Sequence, residues 1–310
     1  MTSPISTPLA YGENPHQTAT FTPNTQRYGV GTAQQLQGKP LSYNNIADAS
    51  AAYELVAEFT STPACAIIKH TNPCGVAEGA TLLQAYQRAI HSAGTDAFGG
   101  IIAFNHPLDV DVANLILSTF TEVVIAPHIT PLAGLILSKK PQMRVLAAGG
   151  LPNPREPYIT SISIAAGILT QQADTMVVDD MPLHVVTHRA PTVEEMADLK
   201  MAYRIVKHAK SNAIVLAANG ATVGIGCGQT SRVQAVHVAA DKAAQLGCTS
   251  YVMASNAFFP FPDGVEQPAA PYATAVIQPG GSKRDAEVIA AANARNMAMV
   301  FTGYRHFKHA

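Results

Sequence analysis

Apolar and polar positions follow two periods along this chain, and their order predicts an α/β fold. The first forty residues are polar and rich in Thr, Gln, Pro and Gly, which reads as loop with short strands. Residues 47–59 (ADASAAYELVAEF) place apolar side chains at helical spacing, and 64–70 (ACAIIKH) form a short apolar run, the pattern of a buried strand. NPCG at 72–75 has turn chemistry. A helix over 81–93, a strand over 99–105, a helix over 111–120 and a strand over 122–127 stopped by Pro127 come next. That alternation predicts α/β architecture with parallel strand pairings.

Gly149, Gly150, Pro152, Pro154 and Pro157 mark a boundary region, and the chain is divided into halves at 1–165 and 166–310. Short strands are expected over 164–169 and 184–186. A helix over 191–209 opens at Thr192, with Glu195 three residues on as its capping-box partner. The apolar runs 211–219 and 221–226 predict a hairpin turning at Asn219-Gly220. A weak repeat links the halves: a strand and turn lead into a helix, then a strand ending near Phe. Residue identity between the copies is slight, so duplication is an expectation for the structure to test.

Composition narrows the function classes. The chain has 310 residues, 47% of them hydrophobic and 13% charged, enough core for two domains or for one built from two similar halves. Net charge is -1 and no long basic run occurs, so nucleic acid and anionic membrane are poor partners. None of the four cysteines is in C-x-x-C spacing, and no disulfide scaffold is expected. There is no signal-peptide pattern at the N-terminus and no stretch of 18 consecutive apolar residues; the expected location is the cytoplasm.

Several positions carry candidate chemistry. Lys69-His70 stands at a strand end, where α/β sheets hold ligands; a His takes a proton near neutral pH and a Lys stabilises an anion. The plainer reading is two solvated side chains. Gly224, Gly226 and Gly228 precede Ser231 and Arg232 without completing a dinucleotide fingerprint, and serve either a ligand or a tight strand-to-helix turn. The turn Pro279-Gly280-Gly281-Ser282 has the same double reading. Adjacent Phe258 and Phe259 cannot both face one core, so one is free to line a pocket for a flat ring. Tyr304-Arg305-His306-Phe307 follows a strong strand and stands where it can complete a site. The zinc deaminase signature is absent and no zinc site is expected.

Taken in order, YGENPHQ (11–17), LSYNNIADASAA (41–52), IIKHTNPCGVA (67–77), DAFGGIIAFN (96–105), EVVIAP (122–127), KSNAIV (210–215), GIGCGQTSRV (224–233), ASNAFFPFPDG (254–264), IQPGGS (277–282) and FTGYRHF (301–307) resemble the transformylase domain of the bifunctional purine biosynthesis enzymes. The resemblance covers nearly the whole chain. It implies two tandem cytidine-deaminase-like α/β domains, three-layered with mixed sheets and without zinc, and a homodimer with active sites at the interface. It implies formyl transfer from 10-formyltetrahydrofolate to the 5-amino group of the aminoimidazole carboxamide nucleotide AICAR. Lys69, His70 and Asn212 match catalytic positions. Tyr11, Gly99, Glu122, Arg232 and Arg305 match nucleotide positions, and Phe258, Asp263 and Ser282 match folate positions. The family's IMP cyclohydrolase domain has no counterpart in these residues, so cyclisation is expected from a separate partner. Two departures stand out. Asn256 replaces an Asp in a motif of members that bind a structural potassium ion. Ala10 replaces an Arg that precedes Tyr-Gly, which opens alternative readings: a paralogue formylating a related amine, or a folate- or nucleotide-binding protein without catalysis.

Overall fold

In the computed structural model, which describes residues 6–266 and 270–309, a small antiparallel pair opens the chain: β1 (Thr7–Leu9) and β2 (Ala19–Phe21). An edge strand, β3 (Gln34–Gln37), precedes the first half proper. That half runs α1 (Tyr43–Val56), β4 (Ala64–Lys69), β5 (Asn72–Glu78), α2 (Leu82–Ala93), β6 (Gly100–Phe104), α3 (Val110–Ile116), β7 (Thr121–Ala126), α4 (Pro131–Leu137) and β8 (Arg144–Ala147). A separate hairpin follows, β9 (Ile159–Ile164) and β10 (Gly167–Gln172). The second half runs β11 (His184–Val185), α5 (Val193–His208), β12 (Ile214–Ala218), β13 (Ala221–Gly226), α6 (Arg232–Gln245), β14 (Tyr251–Ser255), β15 (Ala273–Gln278), α7 (Asp285–Ala294) and β16 (Ala298–Phe301).

Twelve strands form one mixed sheet in the order β11-β16-β15-β14-β12-β13-β5-β4-β6-β7-β8-β3. Read from the β13–β5 junction outward, each strand of one half has a counterpart in the other, so the order is a palindrome. This is the expected duplication. Helices α1 and α5 cover one face and contribute residues such as Tyr53, Leu55, Tyr203 and Ile205 to one core. The opposite face is covered by α2, α3 and α4 in the first half and by α6 and α7 in the second, giving three layers. The α2 and α6 contacts repeat one device. Gly75 on β5 and Gly224 and Gly226 on β13 lie where a Cβ would collide with the carbonyl oxygens of Ala89, Ala239 and Ala235. Glycine in these strands lets an alanine-lined helix approach the sheet closely.

The structure corrects three sequence expectations. NPCG at 72–75 is strand, not turn: Asn72 already pairs with Lys69, a bulge beside Ile67 and Ile68 accommodates Pro73, and Gly75 serves the α2 contact. β4 is antiparallel to both its neighbours, because β5 returns directly through a two-residue turn; parallel pairs occur only further out, at β6–β7–β8 and β14–β15–β16. Residues 164–169 are not one strand but the reversal between β9 and β10, with Ala166 at a positive φ of 59°. The 165/166 division falls at that turn. The Thr192 capping box and the Asn219-Gly220 hairpin stand as expected.

Candidate active site

The two halves build the same turn from different residues. Asn219 and Gly220 join β12 to β13 with φ of 54° and 75°, a left-handed pair these residues adopt readily. The counterpart between β4 and β5 is His70-Thr71, with φ of 52° and 59°. A β-branched Thr there is a genuine outlier, and strain of this kind persists only where the surroundings hold it. The holder is also duplicated. Asp198 on α5 accepts from the Asn219 and Gly220 amides, both at 2.8 Å. Asp48 on α1 accepts from the Thr71 amide at 2.7 Å. Burial raises the Asp48 carboxyl above its ordinary value, against the opposing pull of the Thr71 amide and of His70. Asn72 donates to the His70 carbonyl oxygen at 3.1 Å and closes the turn. Sequence reading passed over Asp48; the signal available was a helical Asp at nearly the same distance ahead of a hairpin turn in each half, 23 residues before Thr71 and 22 before Gly220.

His70 is therefore exposed at the tip of a pinned turn, beside half-buried Lys69. The Lys69 ammonium donates to the Phe98 carbonyl oxygen at 3.0 Å, which brings it beside Gly99 and leaves two N–H groups free among the described residues. The turn also reaches the second half. The Lys210 amide donates to Asn72 Oδ1 at 3.2 Å, two residues before Asn212. That contact ties the Lys69-His70 turn to the segment that carries Asn212.

Asn212 follows a cis peptide and is held at both ends of its side chain: Nδ2 donates to the Gln229 carbonyl oxygen at 2.9 Å, and Oδ1 accepts from Arg232 at 2.6 Å. Arg232 is buried and also donates to Ser255 Oγ and Asn256 Oδ1, each at 2.8 Å. With no carboxylate among these partners, burial pulls its guanidinium down to about 10. Arg232 thus holds Asn212 in place. Asn256 uses its whole amide: Oδ1 accepts from Ala213 N and Arg232, and Nδ2 donates to Ser211 Oγ and the His306 carbonyl oxygen. No group of three or more His, Cys, Asp or Glu able to hold a metal occurs among the described residues.

The other candidates lie along the same end of the sheet, spread outward. Tyr11 is exposed on the loop that Asn44 ties to the start of α1 through the Glu13 carbonyl oxygen, one helical turn from Asp48. Glu122 opens β7 and pairs with Arg144 at 2.8 Å, beside a cavity of about 390 Å³ that Lys39 and Lys140 also line. Phe258 is half-exposed while Phe259 is buried, the division expected of the pair. Asp263 is exposed in a 3-10 turn, and Ser282 Oγ accepts from the Arg284 amide ahead of α7. Arg305 lies over the Phe307 ring at 4.2 Å. The tail that carries it is pinned, since His306 is buried and pairs with Asp174 at 2.5 Å. Seven strand spacings separate β15 from β7. At about 4.8 Å each, Ser282 and Glu122 stand about 34 Å apart along the sheet. Within one chain Asn212 and Arg232 are in contact, and the Lys69-His70 turn is tied to their segment through Asn72, whereas the two wings stand far apart.

The fold and site define a duplicated three-layer α/β protein with a Lys-His pair on a strained, anchored turn at one sheet end. The chain belongs to the AICARFT/IMPCHase bienzyme family, whose profile matches residues 2–242. It is 54% identical over 313 aligned positions to the bifunctional purine biosynthesis protein PurH of Sinorhizobium fredii, 56% to that of Bartonella henselae and 55% to that of Mesorhizobium japonicum. In each comparison 97% of this chain is covered, and it spans 58% of the relative's length. No helix among the described residues is long and apolar enough to cross a membrane.

Proposed function

We propose that this chain transfers the formyl group of 10-formyltetrahydrofolate to the 5-amino group of AICAR, in the cytoplasm, as a homodimer. The observation that carries the reading is the His70-Thr71 turn: a strained backbone, anchored by Asp48, that presents Lys69 and His70 at the junction of the halves. The acceptor amine is conjugated with its ring and carboxamide and is a weak nucleophile. His70 removes its proton as nitrogen attacks the formyl carbon. The oxyanion that forms is stabilised by the Lys69 ammonium and by the remaining N–H of Asn212. The tetrahydrofolate nitrogen takes up a proton as the carbon–nitrogen bond breaks. Tyr11, Gly99, Glu122 and Arg305 bind the nucleotide; Phe258, Asp263 and Ser282 bind the folate. Arg232 acts through Asn212. Because the wings stand about 34 Å apart, a second copy supplies the missing wing at each site. The formylated product passes to an IMP cyclohydrolase.

Ala10, standing where the family has Arg, favours a second reading in which the natural acceptor is a related amine. The deciding experiment is formyl transfer from 10-formyltetrahydrofolate to AICAR and to a panel of amines. His70→Ala and Lys69→Ala each lower turnover about 10²–10⁴-fold with the fold intact. Near-full rates in both variants overturn the assignment, and a preferred acceptor other than AICAR replaces it with the second reading.

A further inference from the structure

The carboxyl group of Glu58 is buried between the two halves and takes no part in the chemistry described above. Glu58 lies two residues beyond α1, in a turn closed by its own amide, which donates to the Leu55 carbonyl oxygen at 3.1 Å. Its side chain is only 2% exposed. One oxygen, Oε1, meets both basic residues in the last turn of α5: it accepts from Lys207 Nζ at 2.7 Å and stands 3.1 Å from His208 Nε2. Lys207 Nζ also donates to the Met176 carbonyl oxygen at 3.1 Å. Burial pushes the Glu58 carboxyl up, but His208 and then Lys207 outweigh it and hold the group below its ordinary value. The chain leaves α5 directly after this contact, and Ala209 is already extended, with φ of -88° and ψ of 141°. The next three residues are held one by one. Lys210 N donates to Asn72 Oδ1 at 3.2 Å, Ser211 N to the Lys308 carbonyl oxygen at 2.9 Å, and Asn212 N to the Gln229 carbonyl oxygen at 2.9 Å.

We infer that Glu58 is a positioning residue: from the first half it fixes the end of α5, and so sets where the second half delivers Asn212 to the Lys69-His70 turn. The inference rests on the formyl-transfer reading above, in which Asn212 donates to the oxyanion. Two features carry it. Apolar packing between α1 and α5 is non-directional and leaves the helices free to slide. A buried carboxylate is tolerated only when it is paired, and the arrangement in which Lys207 and His208 both reach one oxygen is narrow. The second feature is proximity. Ala209, Lys210 and Ser211 alone separate His208 from Asn212, and each of the last two is bonded in place, so a shift at the end of α5 has no slack loop in which to dissipate. The first half therefore uses one helical segment for two tasks. Asp48 on α1 holds the turn that bears His70, and Glu58 just beyond α1 holds the segment that bears Asn212.

The test is a double-mutant cycle in the 310-residue chain, read by steady-state formyl transfer and by hydrogen exchange. Glu58→Gln removes the charge and keeps the shape. Its kcat falls about 10- to 100-fold while both KM values stay within about threefold, because alignment is lost and not ground-state binding. Added to Asn212→Ala, Glu58→Gln lowers kcat no further, the signature of action through Asn212. Exchange at the amides of Lys210, Ser211 and Asn212 quickens at least about tenfold, while that at Asn219 and Gly220 is unchanged. Should Glu58→Gln fail to fold, Glu58→Gln/Lys207→Met leaves no unpaired ammonium in the seam and gives the same losses. Thr222→Val is the control for seam stability. It removes a buried hydroxyl that meets Ser92 across the halves at 2.5 Å, away from residues 209–212, and kcat and their exchange are unaltered. A Glu58→Gln loss that is fully additive with Asn212→Ala, or unchanged exchange at 210–212, overturns the inference. So does an equal loss of kcat in Thr222→Val, which assigns the effect to general loosening of the seam. An unaltered chain that transfers no formyl group overturns the proposed function instead, and exchange at 210–212 then decides the Glu58 anchor by itself.

Discussion

Replacing Asp48 by Ala, with Asp198→Ala as an internal control, separates anchoring for catalysis from anchoring for stability. The two carboxylates do the same job in the two halves, each holding amides of a two-residue left-handed turn. A hydrogen bond to a charged group contributes about 1.5–3 kcal/mol, so losing the one amide bond of Asp48 lowers the unfolding free energy by about that amount, and losing the two of Asp198 lowers it more. The consequences for geometry differ. Each non-glycine residue in the left-handed region costs about 1–2 kcal/mol, so His70-Thr71 holds about 2–4 kcal/mol of strain. Without Asp48 that turn relaxes toward extended backbone and carries the His70 ring with it. Asn219-Gly220 has no such drive and keeps its shape. A displacement of about 1 Å in a reacting group costs about 10² in rate. Urea unfolding is therefore expected to show a loss for both variants, the larger for Asp198→Ala, which gives up two amide bonds. Steady-state formyl transfer is expected to show kcat reduced about a hundredfold for Asp48→Ala and within threefold of wild type for Asp198→Ala. Asp48→Asn, which keeps an acceptor oxygen, recovers part of the rate. The reasoning is refuted if Asp48→Ala retains normal kcat, or if Asp198→Ala loses as much.

Thr71→Gly relieves strain at φ 59° and raises stability by about 0.5–1 kcal/mol in urea unfolding, while kcat falls because the turn loosens; a destabilised variant contradicts the strain argument. His208 is largely enclosed beside Glu58, Lys207 and Lys308, and desolvation first, then the neighbouring lysines, holds its imidazole down to about 4 despite the Glu58 contact. The unfolded chain binds that proton near pH 6.5, so stability is full above this value and is lost as pH falls toward about 4. His208→Gln is expected to flatten the stability profile over that window, and an unchanged slope rules His208 out as its source. Ala10→Arg restores a fixed fork of donors and is expected to tighten nucleotide binding about 10- to 150-fold, with the dephosphorylated nucleoside unaffected. Calorimetry showing equal gains for both ligands places residue 10 away from the phosphate.

What the sequence determined by itself was local. The Thr192 capping box, the Asn219-Gly220 turn, the buried-strand runs and the division of labour between Phe258 and Phe259 each rest on neighbours in the chain, and each stands in the structure. The ordered motifs were enough for family membership, and Lys69-His70 was visible as a pair at a strand end. The tertiary structure alone decided what depends on distant contacts. Pro73 and Gly75 carry turn letters, yet a strand partner and α2 place them in the sheet. Gly224 and Gly226 read equally as a ligand loop or a tight strand-to-helix turn, and the structure shows that they admit α6 to the sheet. Arg232 had the sequence position of a substrate-binding group, and its guanidinium turns inward to Asn212, Ser255 and Asn256. Asp48 was lost among the residues of an ordinary helix, because its role exists only where α1 lies over the β4–β5 turn. Periodicity records which side of an element faces the core. It holds no information on which residue of another element, tens of positions away, meets it there.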